Sequence, residues 1–121
     1  MLVVDDNPAV RKLICELFTR ESDFRVCAQA KDGREGLVKA QDLEPDLVVT
    51  DLTMPLMNGL EATCALRKLM PSVPVILYSA NMDPFVEKEA FAAGASAAVA
   101  KSNVVAVLIP TARSLLGEMA A

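Results

Sequence analysis

The chain has 121 residues, a length that suits one domain, and its 12 Lys and Arg stand against 16 Asp and Glu for a net charge of −4. With 53% apolar residues it can bury a real core, which excludes wholesale disorder. An acidic chain without a basic block is poorly suited to holding a nucleic-acid backbone by itself, and no apolar run approaches the roughly 20 residues of a membrane span. The chain has no histidine, which removes imidazole acid–base catalysis, Ser–His and Cys–His triads and most zinc sites. Cys15, Cys27 and Cys64 are scattered, match no metal spacing and read as reduced cytosolic thiols. Nothing at the N-terminus reads as a signal peptide, since Asp5 and Asp6 are both acidic.

Short β-rich runs alternate with helical patterns five times. Leu2-Val3-Val4 is the first strand and stops at Asp5-Asp6-Asn7-Pro8, where Asn7 can cap a helix and Pro8 can open it. Val10, Leu13, Ile14, Leu17 and Phe18 then form one apolar helical face. Phe24 to Ala28 alternates and is predicted as a second strand. Asp32, with Glu35 three residues on, opens a helix to about Glu44. Leu47 to Thr50 is a third strand, almost wholly apolar, as strands covered on both faces tend to be. Met54 to Gly59 is a loop with clear turn chemistry, and a third helix runs from Leu60 to Leu69 before Pro71. Val73 to Leu77 is a fourth strand. Asp83-Pro84 opens a fourth helix that stops at Gly94. Ala97 to Ala100 is a weak fifth strand, and Val104 to Met119 a fifth helix. The pattern predicts an α/β fold, a parallel sheet with helices on both faces, as one domain over residues 1–121.

Pro110 interrupts the last helix, removing one backbone bond and crowding the preceding turn, so a kink or break is expected near Ala106 to Pro110. Leu108, Ala112, Leu115 and Met119 form one apolar stripe of that helix, with Val105 and Ile109 off it. Two readings stand: a short helix with some exposed Val, or a face for a second copy or another partner.

In an open parallel sheet ligands bind beyond the carboxyl ends of the strands. There the first strand delivers Asp5 and Asp6, the third Asp51, the fourth Ser79 and the fifth Lys101. Three crowded carboxylates repel one another, and a hard divalent cation such as Mg²⁺ removes the conflict. A carboxylate beside such an ion can attack phosphorus, while a lysine and a hydroxyl hold the phosphoryl oxygens. Without histidine or another evident base to activate water, the acyl phosphate would persist, as a switch requires. Each residue alone has an ordinary role: Asp5 to Asn7 as a helix cap, Asp51 as a turn, Ser79 as a strand end, Lys101 as a solvated surface group. The joint pattern outweighs those roles.

These residues resemble the receiver domain of two-component response regulators over essentially the whole chain. Val3 to Asn7 matches the family's acidic pair, and Val48 to Glu61 matches the segment around its phosphorylated aspartate. Val75 to Ala80 matches the strand with the Ser/Thr switch, and Ala92 to Ala95 followed by Lys101 matches the approach to the family lysine. Leu60 to Thr63 and Lys101-Ser102 look most like receivers that precede helix-turn-helix DNA-binding domains. The resemblance implies a flavodoxin-like, doubly wound five-stranded sheet of strand order 2-1-3-4-5 with five helices. It implies a bacterial, cytoplasmic protein in which Asp51 accepts a phosphoryl group from a sensor histidine kinase. It also implies that Asp6, Asp51 and the Thr53 carbonyl bind Mg²⁺ directly, that Asp5 acts through water, and that Ser79 and Lys101 clasp the phosphoryl group. The output would be a changed surface of the fourth helix, fifth strand and fifth helix. A phosphorylation-dependent homodimer and a DNA-binding output domain elsewhere in a full-length protein fit the same family, but no output domain is expected in this chain. No direct contact with nucleic acid or membrane is expected of this domain.

A receiver-like binding or dimerisation module that is not phosphorylated is the alternative. An enzyme is not expected, because aspartyl-phosphate hydrolases place a second Asp where this chain has Thr53. A flavin carrier would need a Gly-rich phosphate loop where Asp5 to Pro8 stands. Two positions depart from the family. Ala98 replaces the usual aromatic three residues before the lysine, so an atypical readout is expected. Ser102 replaces a common proline, which leaves the isomer of the Lys101–Ser102 bond open. Strand alternation points Tyr78 away from Ser79, so Tyr78 is not expected to substitute for the missing aromatic.

Overall fold

The chain folds as β1 (Leu2–Val4), α1 (Pro8–Thr19), β2 (Ala28–Ala30), α2 (Gly33–Leu43), β3 (Val48–Asp51), α3 (Gly59–Leu69), β4 (Val75–Ser79), α4 (Pro84–Ala93), β5 (Ala97–Ala100), a 3₁₀ turn (Lys101–Asn103) and α5 (Val104–Ala120). The structure is a computed structural model that describes residues 1–26, 28–54 and 57–120, the last three through their backbone alone. Cys27 of the predicted second strand and Pro55 and Leu56 of the predicted turn lie outside the described residues, as does the side chain of Met119.

All strands are parallel, in the order β2-β1-β3-β4-β5. Strand alternation divides the core in two. Val3, Val49, Ile76, Tyr78 and Val99 face α1 and α5, where they meet Ile14, Phe18, Leu108, Ile109 and Ala112. Leu2, Val4, Val48 and Val75 face α2 and α3, where they meet Ala40 and Leu66. Leu77 continues that second face toward Ala90 of α4. Both faces are therefore dry, which is why the strands read as continuous apolar runs.

Local chemistry sets the helix starts. The Asn7 side chain accepts the Ala9 and Val10 N–H groups at 2.9 and 3.3 Å, with Pro8 in the first turn. Asp32 accepts from Glu35 N–H and Asp83 from Val86 N–H, both at 2.8 Å. Asn58 and Glu61 close a full capping box on α3. Gly94 ends α4 in the left-handed region at φ 108°, a conformation that disfavours any side chain.

Four expectations change. The second strand is Ala28–Ala30, not Phe24 to Ala28. Phe24 and Val26 do turn inward, but from a connection: the Phe24 ring meets Phe18 edge-on at 4.9 Å. Arg113 of α5 clamps the same connection by bonding both carboxylate oxygens of Asp23, at 3.0 and 3.1 Å. The fourth strand begins two residues late, after Pro74, and runs on through Ser79. The fifth helix is unbroken through Pro110. Pro110 and Ala106 are both exposed, so the carbonyl that loses its helical donor can turn to water. Ile109, expected off the apolar stripe, is buried beside Leu108, while Val105 and Val107 are exposed. Every described peptide bond is trans, Lys101–Ser102 included.

Replacing Pro110 with Ala restores the missing bond on an exposed face. The expected result is a gain of about 1–2 kcal/mol, measured by urea unfolding, with no change in fold.

Candidate phosphoryl-acceptor site

Continuing each apolar stripe by one more strand step reaches the site. After Val3 comes Asp5, after Val49 comes Asp51, and after Val99 comes Lys101, all on the face shared with Tyr78. Oxygens of Asp5, Asp6 and Asp51 lie within 4.8 Å of one another. Asp5 and Asp51 are buried and Asp6 is exposed.

Asp51 closes β3. One of its oxygens accepts the Thr53 N–H at 3.2 Å, and the other faces Lys101 Nζ at 3.5 Å. The Thr50 hydroxyl donates to the Asp51 carbonyl at 3.0 Å. Burial pushes the Asp51 carboxyl above its ordinary range, and the negative charge of Asp5 pushes it further. The Thr53 amide and the Lys101 ammonium oppose that rise without cancelling it.

Asp5 is fully buried. Its Oδ1 accepts the Asn7 N–H at 2.8 Å, and its Oδ2 accepts the Tyr78 hydroxyl at 2.5 Å. Arg11 donates to the Asp5 carbonyl at 2.7 Å and fastens the end of β1 to α1. Tyr78 is itself fully buried, and its phenol is held far above its ordinary range by burial first and by the Asp5 hydrogen bond second. The Lys101 ammonium lies 5.8 Å from the centre of the Tyr78 ring.

The structure thus brings together Asp5, Asp6, Asp51 and Lys101. Ser79 is buried at the end of β4, on the opposite face from Tyr78, and its hydroxyl accepts the Asn81 N–H at 3.2 Å. Thr53 is exposed beside Asp51. Ala98 pairs in register with Leu77 on the α4 side of the sheet. Tyr78 is the residue that sequence reasoning missed. Alternation correctly sets Tyr78 opposite Ser79, and the pairing of Tyr78 with Asp51 adds that this is the acidic side. The usable signal is a lone phenol in an interior strand that is apolar up to Ser79, since a buried hydroxyl there needs a partner.

Gly59 lets α3 approach this loop. Its N–H donates to the Leu52 carbonyl at 2.8 Å, and a Cβ there would lie 2.3 Å from the Asp51 carbonyl oxygen.

The family model described as the response regulator receiver domain matches residues 1–113. The chain belongs to the receiver domain family. As a receiver it is a phosphorylation-dependent switch module of two-component signalling. The receiver is 37% identical to a protein-glutamate methylesterase/protein-glutamine glutaminase from a Nocardioides species, over 96% of this chain and 35% of that protein. It therefore spans about a third of that relative's length. Among solved structures, a LuxR-family two-component response regulator from an Aurantimonas species superposes with a TM-score of 0.91 at 33% identity, covering 96% of this receiver and 84% of that chain. The CheX-CheY-BeF3-Mg²⁺ complex from Borrelia burgdorferi gives 0.89 at 28% identity, covering 95% and 87%. No described helix of the receiver is long and apolar enough to cross a membrane.

Two outcomes follow from this geometry. Gly59→Ala is expected to cost about 1–3 kcal/mol, read from thermal or urea unfolding, because the added methyl must displace backbone. The raised Asp51 carboxyl means that the folded receiver holds this proton more tightly than the unfolded chain does. Its contribution to stability is therefore present at acid pH and lost as pH rises through the folded value. In chelator at neutral pH, Asp51→Asn is expected to melt higher than wild type, with the gap closing toward acid pH.

Proposed function

We propose that Asp51 is the phospho-acceptor of this receiver, supplied by a histidine kinase, with Mg²⁺ held at the acidic rim. The observation that carries the reading is the cluster of Asp5, Asp6 and Asp51 faced by Lys101. Its donors are hard carboxylate oxygens with no soft ligand among them, as Mg²⁺ prefers. Asp6, Asp51 and the Thr53 carbonyl would hold the ion, and Asp5 would act through water. When bound, the ion neutralises the acidic rim and the charge of the incoming phosphoryl oxygens.

A carboxylate oxygen of Asp51 forms the new bond to phosphorus. The bond from phosphorus to the kinase imidazole breaks, and the imidazole keeps the electron pair. Lys101, already 3.5 Å from Asp51, shifts its pairing to the phosphoryl oxygens. Ser79 offers a hydroxyl donor from the neighbouring strand end. With no histidine in the chain to activate water, the acyl phosphate is kept rather than turned over, so the domain acts as a switch and not as an enzyme.

The receiver unit is residues 1–121, and its setting is the bacterial cytoplasm. The resemblance of Leu60 to Thr63 and Lys101-Ser102 to receivers that precede helix-turn-helix domains supports a DNA-binding output domain in a full-length protein. The surface of α4, β5 and α5, where Phe85, Phe91 and Val105 are exposed, carries the readout and supports a homodimer. Because Ala98 brings no aromatic ring to that surface, the readout departs from the family's usual rotamer switch.

Intact mass after incubation with acetyl phosphate and Mg²⁺ tests the reading. Wild type is expected to gain one labile phosphoryl group, which chelator or Asp51→Asn abolishes. Folded wild type with no adduct, beside a related receiver that gains one, would replace this reading with a binding module that is not phosphorylated.

A further inference from the structure

We propose that Tyr78 is a positioning residue of the acceptor site, holding the Asp5 carboxylate in the orientation that the Mg²⁺ site requires. The inference rests on the Mg²⁺ reading above.

Asp5 has no exposed surface, so bulk water cannot orient its carboxylate. Among the described residues, two hydrogen bonds do so instead. One comes from the Asn7 backbone N–H, which any residue at position 7 except proline would supply. The other comes from the Tyr78 hydroxyl and depends on that side chain. At 2.5 Å it is a short, charge-assisted contact. Tyr78 cannot easily withdraw. Its carbonyl accepts the N–H of Leu52, the residue after Asp51, at 2.9 Å, and its ring is packed among Val3, Val49, Ile76 and Val99. The phenol is thus a rigid post, fixed by the β3–β4 pairing and aimed at one oxygen of a carboxylate in the acidic cluster.

Occupying Oδ2 leaves Asp5 a restricted set of directions for meeting a water on the ion. Partners of this kind, one bond removed from a metal site, typically govern metal affinity by 10- to 100-fold. Phenylalanine at position 78 would keep the ring and its packing and remove only the donor.

The test is Mg²⁺ binding itself, measured by calorimetry on wild type and Tyr78→Phe. The variant is expected to bind Mg²⁺ about tenfold more weakly or worse, and its acetyl phosphate labelling should recover at high Mg²⁺. A tyrosine with a merely structural role would lower the melting temperature and leave Mg²⁺ affinity alone. Wild type supplies a second readout that needs no variant. Tyr78 is the chain's one tyrosine and there is no tryptophan, so tyrosine emission reports this phenol alone. It is expected to change with the same midpoint as the calorimetric titration. Mg²⁺ affinity within twofold of wild type in folded Tyr78→Phe would overturn the inference. So would flat wild-type emission while calorimetry shows the site filling, and that arm decides the matter if the variant does not fold. Wild type that takes up no Mg²⁺ would overturn the Mg²⁺ reading and this inference together.

Discussion

A parallel sheet covered on both faces has no wet side, and this constraint organises the molecule. Every side chain within the strands must be apolar or partnered, so charge can enter only where a strand ends. Asp5, Asp51 and Lys101 stand at such ends, each two residues beyond a buried valine on the same face. The dry layer beneath them is also what makes the carboxylates costly. Asp51 resists ionisation because it is buried and has Asp5 beside it, and Lys101 at 3.5 Å offsets only part of that. The energetic tension of the site is a by-product of the same close packing that positions it.

The parts of this architecture that were legible in the sequence are those set by short-range chemistry. Asn7, Asp32 and Asp83 cap the helices they were expected to cap, because a side chain reaching an N–H two or three residues on needs no tertiary help. Asn58 with Glu61 carries the same signal, hidden inside a stretch whose Pro and Gly read as a turn. The order of the strands came from family resemblance rather than from periodicity, which is blind to it. Phe24 and Val26 show why the second strand was misplaced. Alternation records which side chains turn inward, and a loop folded against Phe18 turns them inward as well as a strand does.

Tyr78 and Ala98 show a different limit. Alternation places Tyr78 relative to Ser79, and distance in sequence places Ala98 relative to Lys101, but the register between strands decides what each one faces. Tyr78 pairs with Asp51 and shares its face, while Ala98 pairs with Leu77 and faces α4. The Tyr78 ring therefore lies across the sheet from Ala98, the position where the family resemblance places an aromatic. The two are not interchangeable parts. One belongs to the acidic pocket, the other to the outer surface.

Pro110 divides the last helix unequally in its attachments. The N-terminal half leaves directly from the turn that bears Lys101 and buries Val104 and Leu108. The C-terminal half is tethered through Arg113 to Asp23 at the far end of the sheet. Between them one rung of the ladder is missing, on the side that meets water. As a mechanical object, α5 is a beam seated on the core on both sides of Pro110, through Leu108 and Ala112, with its one missing rung on the wet edge.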